Sequence, residues 1–276
     1  MMTTQDRLFR PAMSAGRAAL RKASQSLAAI SLVASLTTSL PVHAQEQTVS
    51  SSRTSAVIEL FSSQGCTSCP PAERIFAEMA KESDIVALAY HVDYWDYIGW
   101  SDTLGSKANT ERQRAYARSF GTSTIYTPQV VVNGRKDVIG SREADIRRAI
   151  ADVPLGAGGA SVAMRRIGDR MHITASVGDT AGQVPVLMLV NFSPPSRVEV
   201  TRGENKGKTI LNANPVTDWQ ILGMFNGKPL EVDMPLSGLR RSGRPTGGCA
   251  ALIQTVTAEG GPGPILAAAV LQFGGS

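Results

Sequence analysis

Phe61-Ser62-Ser63-Gln64-Gly65-Cys66-Thr67-Ser68-Cys69-Pro70-Pro71 is the stretch on which the reading of the fold turns. Before it, Ala56-Val57-Ile58-Glu59-Leu60-Phe61 is short, apolar and rich in β-branched residues, and Ser62-Ser63-Gln64-Gly65 ends it as a turn. Such a run is expected to form a buried strand. After it, Ala72, Ile75, Phe76, Met79 and Ala80 recur at helical spacing. They follow two prolines, which a helix tolerates in its first turn because those N–H groups have no partner there. Cys66 and Cys69 are therefore expected at the start of a helix that follows a buried strand.

Further along, Ile85-Val86-Ala87-Leu88-Ala89-Tyr90-His91 is continuously apolar, as a strand covered on both faces would be. An aromatic segment follows from His91 to Trp100, and then Asn109 to Phe120 carries Ala115, Tyr116 and Phe120 on one helical face. Asn133-Gly134 lies between Gln129-Val130-Val131-Val132 and Lys136-Asp137-Val138-Ile139 and predicts a tight hairpin, because both turn residues must adopt positive φ. Ser141 is expected to cap a last helix that turns Ile146, Ala149 and Ile150 inward. The order strand, helix, strand, helix, strand, strand, helix predicts an α/β, thioredoxin-like domain over residues 56–153. From Pro154 onward, alternating segments such as Met171 to Val177, Val184 to Phe192, Arg197 to Thr201 and Ala250 to Thr257 are separated by turn signals. They predict a β-rich, sandwich-like C-terminal domain of about six to eight strands over residues 154–276.

The chain has 276 residues, 42% apolar and 18% charged, enough for two domains with real cores. Its net charge of +5 is concentrated at the N-terminus. Residues 1–44 carry five basic residues (Arg7, Arg10, Arg17, Arg21 and Lys22) against Asp6, leaving 23 basic and 22 acidic residues in the remainder. With no basic stripe there, a nucleic-acid partner has no electrostatic basis. The basic start, the apolar run Leu27 to Leu36 and Pro41-Val42-His43-Ala44 form a secretion-signal pattern with cleavage expected after Ala44. That run is far shorter than the roughly 20 residues a membrane-spanning helix needs. The mature chain is expected to begin at Gln45 with a polar linker over residues 45–55, to be free of the membrane and to be periplasmic or secreted. Disulfides persist in that setting.

A helix N-terminus stabilises a thiolate through its unpaired N–H groups and partial positive charge, so Cys66 is the expected nucleophile and Cys69 the resolving thiol. Thr127-Pro128, just before an apolar strand, is expected to hold a cis peptide bond and to aim the Thr127 backbone edge at the disulfide. Glu59 lies within the first strand, seven residues before Cys66. A carboxyl there could exchange a proton with Cys69. His91, Asp93 and Trp95 follow the second strand and are expected to line the substrate site, since such groups gather at the carboxyl ends of parallel strands. Cys249 is expected to be a small buried hydrophobe, or a thiol that exchanges with the pair.

These residues predict a thiol–disulfide oxidoreductase acting on protein or small-molecule thiols and disulfides. The chain carries no nucleotide, flavin or haem motif, so no bound organic cofactor is expected. Two other readings stay open. In one, Cys66, Cys69 and His91 form a soft site for Cu(I), or the cysteines supply half of a zinc site. In the other, the disulfide only stabilises a recognition module.

Phe61 to Pro71, His91-Val92-Asp93-Tyr94-Trp95-Asp96 and Tyr126 to Gly134 resemble a bacterial family of secreted thioredoxin-like proteins, domain of unknown function 1223. The resemblance covers nearly the whole mature chain and implies a bacterial envelope location. It brings no established activity. More distantly, Val57 to Ser62 with the cysteine pair is similar to the periplasmic disulfide oxidoreductases, which implies Glu59 as the buried acid and Thr127-Pro128 as the cis-proline pair. One extra residue separates Glu59 from Cys66, and Thr67-Ser68 lacks the proline or histidine typical of that group.

Overall fold

The computed structural model describes residues 46–156, 159–180, 182–239 and 244–273. The expected leader, its cleavage point and Gln45 lie outside them. Fourteen strands, arranged in four sheets, dominate the described residues, against three α-helices. This corrects the expectation of an α/β, thioredoxin-like N-terminal domain followed by a separate sandwich: the protein is mostly β. The physical reason lies in how the strands share their cores.

The strands are β1 (Gln47–Ser50), β2 (Ala56–Ser62), β3 (Ile85–His91), β4 (Gln129–Val132), β5 (Lys136–Ile139), β6 (Ser161–Ile167), β7 (Arg170–Ser176), β8 (Val184–Phe192), β9 (Ser196–Glu199), β10 (Thr209–Asn212), β11 (Val216–Met224), β12 (Leu230–Pro235), β13 (Gly248–Val256) and β14 (Pro262–Gln272). The helices are α1 (Cys69–Met79), α2 (Lys107–Ser119) and α3 (Glu143–Asp152). One sheet has the order β3-β2-β4-β5, with β2 and β3 parallel and the other pairs antiparallel. The second has the order β11-β8-β13-β14, the third β1-β6-β7-β12, and β9 and β10 form a two-stranded ribbon.

Side chains alternate faces along a strand, and here both faces of the central strands are buried. On β8, Leu187 and Leu189 pack with Met164, Met171 and Ile173 of the third sheet, while Met188, Val190 and Phe192 turn the other way. There they meet Phe61, Leu88, Tyr90 and Val131 of the β3-β2-β4-β5 sheet in one cluster. A single core thus crosses the boundary expected between residues 153 and 154. The far face of β2 and β3, carrying Ile58, Leu60, Ala87 and Ala89, is covered by α1 and α3 through Phe76, Met79 and Ile146.

Most local readings between residues 56 and 150 correspond to an element. Asn133 and Gly134 have φ of 50° and 64°, as the tight turn requires. A Cβ on Gly134 would meet the Gly263 carbonyl oxygen at 2.5 Å, so this turn is also a point of close contact with the start of β14. Ser141 does not cap α3: the helix starts at Glu143 behind Arg142, with no side-chain cap bond. Ser106 caps α2 instead, accepting the Asn109 N–H. The expected linker holds β1, which pairs antiparallel with β6 and packs Val49 against the sandwich core. No helix among the described residues is long and apolar enough to cross a membrane.

Candidate functional site

Cys66 and Cys69 form a disulfide, with Cα atoms 5.4 Å apart, where β2 gives way to α1. The turn is self-bonded: Cys66 N–H donates to Ser63 O and Cys69 N–H to Cys66 O. Pro70 and Pro71 have no N–H to offer, so the first turn of α1 presents fewer free donors than most helix starts. Thr127-Pro128 is cis, and Thr127 O lies 3.9 Å from Cys66 Sγ. Ser68 Oγ lies 3.3 Å from the same sulfur and donates to Thr127 O. Trp95 Nε1 donates to Thr127 Oγ1 at 2.8 Å. Cys66, Cys69, Thr127, Pro128 and Trp95 are therefore brought together, with Thr67 and Ser68 exposed above a disulfide whose two cysteines are fully buried.

Part of that cover comes from far along the chain. Asn205, in the loop joining β9 to β10, is fully buried, and its amide donates to Gln64 O at 2.9 Å and Cys66 O at 2.8 Å. Lys208 Nζ donates to Asn205 Oδ1 and fixes which way that amide faces. In the same loop Gly203 has a φ of 72°, and a Cβ there would come within 3.1 Å of Trp100 Cβ. Neither Asn205 nor Gly203 carries a local sequence signal that marks it for this role.

Glu59 is not brought to the cysteines. It lies on the β2 face shared with Val57 and Phe61, where the Arg112 guanidinium from α2 donates twice to its Oε1, at 2.7 and 2.9 Å. Tyr116 hydroxyl donates to its other oxygen. Arg112 also stacks over the Tyr90 and Tyr116 rings and donates to Gln254 of β13. Burial alone would loosen the proton of the guanidinium, but the Glu59 carboxylate beside it more than offsets this and holds the proton more tightly than usual. Glu59 is thus half of a buried ion pair tying the β3-β2-β4-β5 sheet to β13.

The opposite face holds a second buried cluster. His91 ends β3 in register with Ser62, and its Nδ1 is 2.9 Å from Asp102 Oδ2. Asp102 also accepts the N–H groups of Gln64 and Leu104. Glu73, four residues after Cys69 on α1, places Oε1 3.9 Å from His91 Nε2, and neither of its oxygens has a hydrogen-bond partner. Burial lowers the proton affinity of His91, but the Asp102 carboxylate and then Glu73 more than offset it, leaving the imidazole pushed up to about 8. Asp102 is held below the usual carboxylate range, since the His91 charge and three hydrogen bonds outweigh its own burial. Burial raises Glu73.

Asp93 is engaged elsewhere: its carboxylate accepts the Thr110 hydroxyl of α2 at 2.6 Å. Cys249 faces the other side of its sheet, among Met171 and Ile173, and burial pushes its thiol up to about 12. It is not brought to the pair. Among the described residues no cluster of three or more His, Cys, Asp or Glu side chains is arranged to hold a metal ion.

A family profile described as "Protein of unknown function (DUF1223)" matches residues 57–254, well over half of the chain. The chain belongs to the DUF1223 family. Among solved structures, this DUF1223 chain is similar to protein AGR_C_4864 from Agrobacterium tumefaciens, with 35% identity over 80% of this chain and 95% of that one and a TM-score of 0.68. No protein of curated function matches. The Cys66 loop, the aromatic segment and Thr127-Pro128 all fall within the matched DUF1223 span, as does Asn205.

Proposed function

We propose that this protein is a thiol–disulfide oxidoreductase of the bacterial envelope. The observation that carries the reading is the juxtaposition at Cys66: a Cys-x-x-Cys disulfide at the start of α1, facing the backbone carbonyl of Thr127. In the reduced protein the Cys66 thiolate attacks a substrate disulfide, one substrate thiolate leaves, and a mixed disulfide forms. The Cys69 sulfur then attacks Cys66 Sγ and releases the second substrate thiol, so two electrons pass from the cysteine pair to the substrate. The Thr127 edge, with its hydroxyl held by Trp95, supplies main-chain groups to align an incoming peptide. The basic-then-apolar N-terminal pattern supports export to an oxidising compartment.

Complete burial of both cysteines favours a second reading, in which the disulfide is a permanent staple. The two readings are separated by the reduction potential of the pair in glutathione buffers, read by thiol trapping. A potential near or above roughly −200 mV is expected for the catalytic pair, and one below about −300 mV with both sulfurs resisting alkylation after mild reduction would mean a staple.

A further inference from the structure

We propose that Glu73 is the group that holds the proton exchanged with Cys69, and that His91, fixed by Asp102, sets how readily it does so. This rests on the oxidoreductase reading above. Cys69, Ala72, Glu73 and Phe76 share the buried face of α1, and residues four apart on a helix are neighbours. Glu73 is only 2% exposed, yet both carboxyl oxygens lack a partner, and the polar atom turned toward it, His91 Nε2, is likewise unpartnered at 3.9 Å. Two buried, unpartnered groups facing each other are costly to keep unless one of them takes up a proton at some stage. By contrast Glu59, on the other face of β2, is occupied by Arg112 and Tyr116.

A thiol compound RSH is the product and its mixed disulfide with Cys66 the reactant. The Cys69 thiol gives its proton to the Glu73 carboxylate as its sulfur bonds to Cys66 Sγ, RS⁻ leaves, and the proton passes from Glu73 to RS⁻. Besides each other, Glu73 and His91 feel the Ser62 hydroxyl of β2, Asp102 of the loop before α2 and Arg244 of the segment before β13. While His91 carries its proton it favours the Glu73 carboxylate; as pH rises and that proton is lost, Glu73 holds a proton more tightly. Asp102 also accepts the Gln64 N–H, so the cluster is tied to the loop that carries Cys66.

The test is the reduction potential of the full-length protein as a function of pH, in glutathione or dithiothreitol buffers, for the unsubstituted chain, Glu73→Gln and His91→Gln. The expected result is a change of slope that Glu73→Gln abolishes and His91→Gln moves to higher pH. Profiles that stay parallel, offset by a constant, would mean that Glu73 only positions the helix and would overturn the proposal. Carboxyl-carbon NMR of the unsubstituted protein reads the same coupling without any variant. Glu73 is expected to titrate about one pH unit or more apart in the oxidised and reduced states, and a common midpoint overturns the proposal. A potential below about −300 mV at every pH would sink the oxidoreductase reading whether or not the slope changes, so the two failures are distinct.

Discussion

Two glutamates lie fully buried on either side of one strand layer, and they have been treated oppositely. Glu59 meets a guanidinium, a phenol and, through Arg112, the amide of Gln254; Glu73 has beside it only the Ser62 hydroxyl, with no well-formed hydrogen bond, and a distant imidazole nitrogen. A buried charge is tolerated when it is paired and hydrogen-bonded, and otherwise it tends to neutralise. The Glu59 side is thus built as a fixed joint between sheets. The Glu73 side is left with a proton to gain or lose.

The same substitution on the two faces gives the sharpest contrast. Glu59→Gln leaves Arg112 buried without its counter-charge and is expected to cost about 3–5 kcal/mol in urea unfolding. A loss under about 1 kcal/mol would mean that the ion pair is not the joint described here. Next in size is a pH effect on the other face. Because His91 is raised in the folded state from 6.5 to about 8, its contribution is fully present below the lower value and lost as pH rises through the upper one. That loss should amount to about 2 kcal/mol between these limits, and should vanish in His91→Gln. Chemical denaturation at several pH values would check it. Smallest is Glu73→Gln, which breaks no well-formed hydrogen bond and is expected to change stability by about 1 kcal/mol or less. A cost as large as that of Glu59→Gln would erase the distinction between the faces.

Much of the local structure was legible. β2, β3 and the Asn133-Gly134 hairpin followed from apolar runs and turn chemistry, and the structure brings Cys66, Cys69, Thr127, Pro128 and Trp95 together. The fold class was not legible, because strands buried on both faces look alike whether a helix or another sheet covers them, and here β8 and β13 supply the cover for β2 and β3. The ion pair of Glu59 was not legible because its partner lies 53 residues away on α2. Glu73 did leave a signal: a carboxylate falling between Ala72 and Phe76 in the apolar stripe of α1 breaks the pattern. Asn205 left none, since its contact with Cys66 spans 139 residues and engages only backbone.

Asn205 grips the carbonyl oxygens of Gln64 and Cys66, groups that every amino acid supplies alike. Thr67 and Ser68, the residues between the cysteines, are exposed and take no part in the grip. The dipeptide can therefore be exchanged, and the chemistry of the pair retuned, at the cost of the Ser68–Thr127 hydrogen bond but with the Asn205 anchorage unchanged.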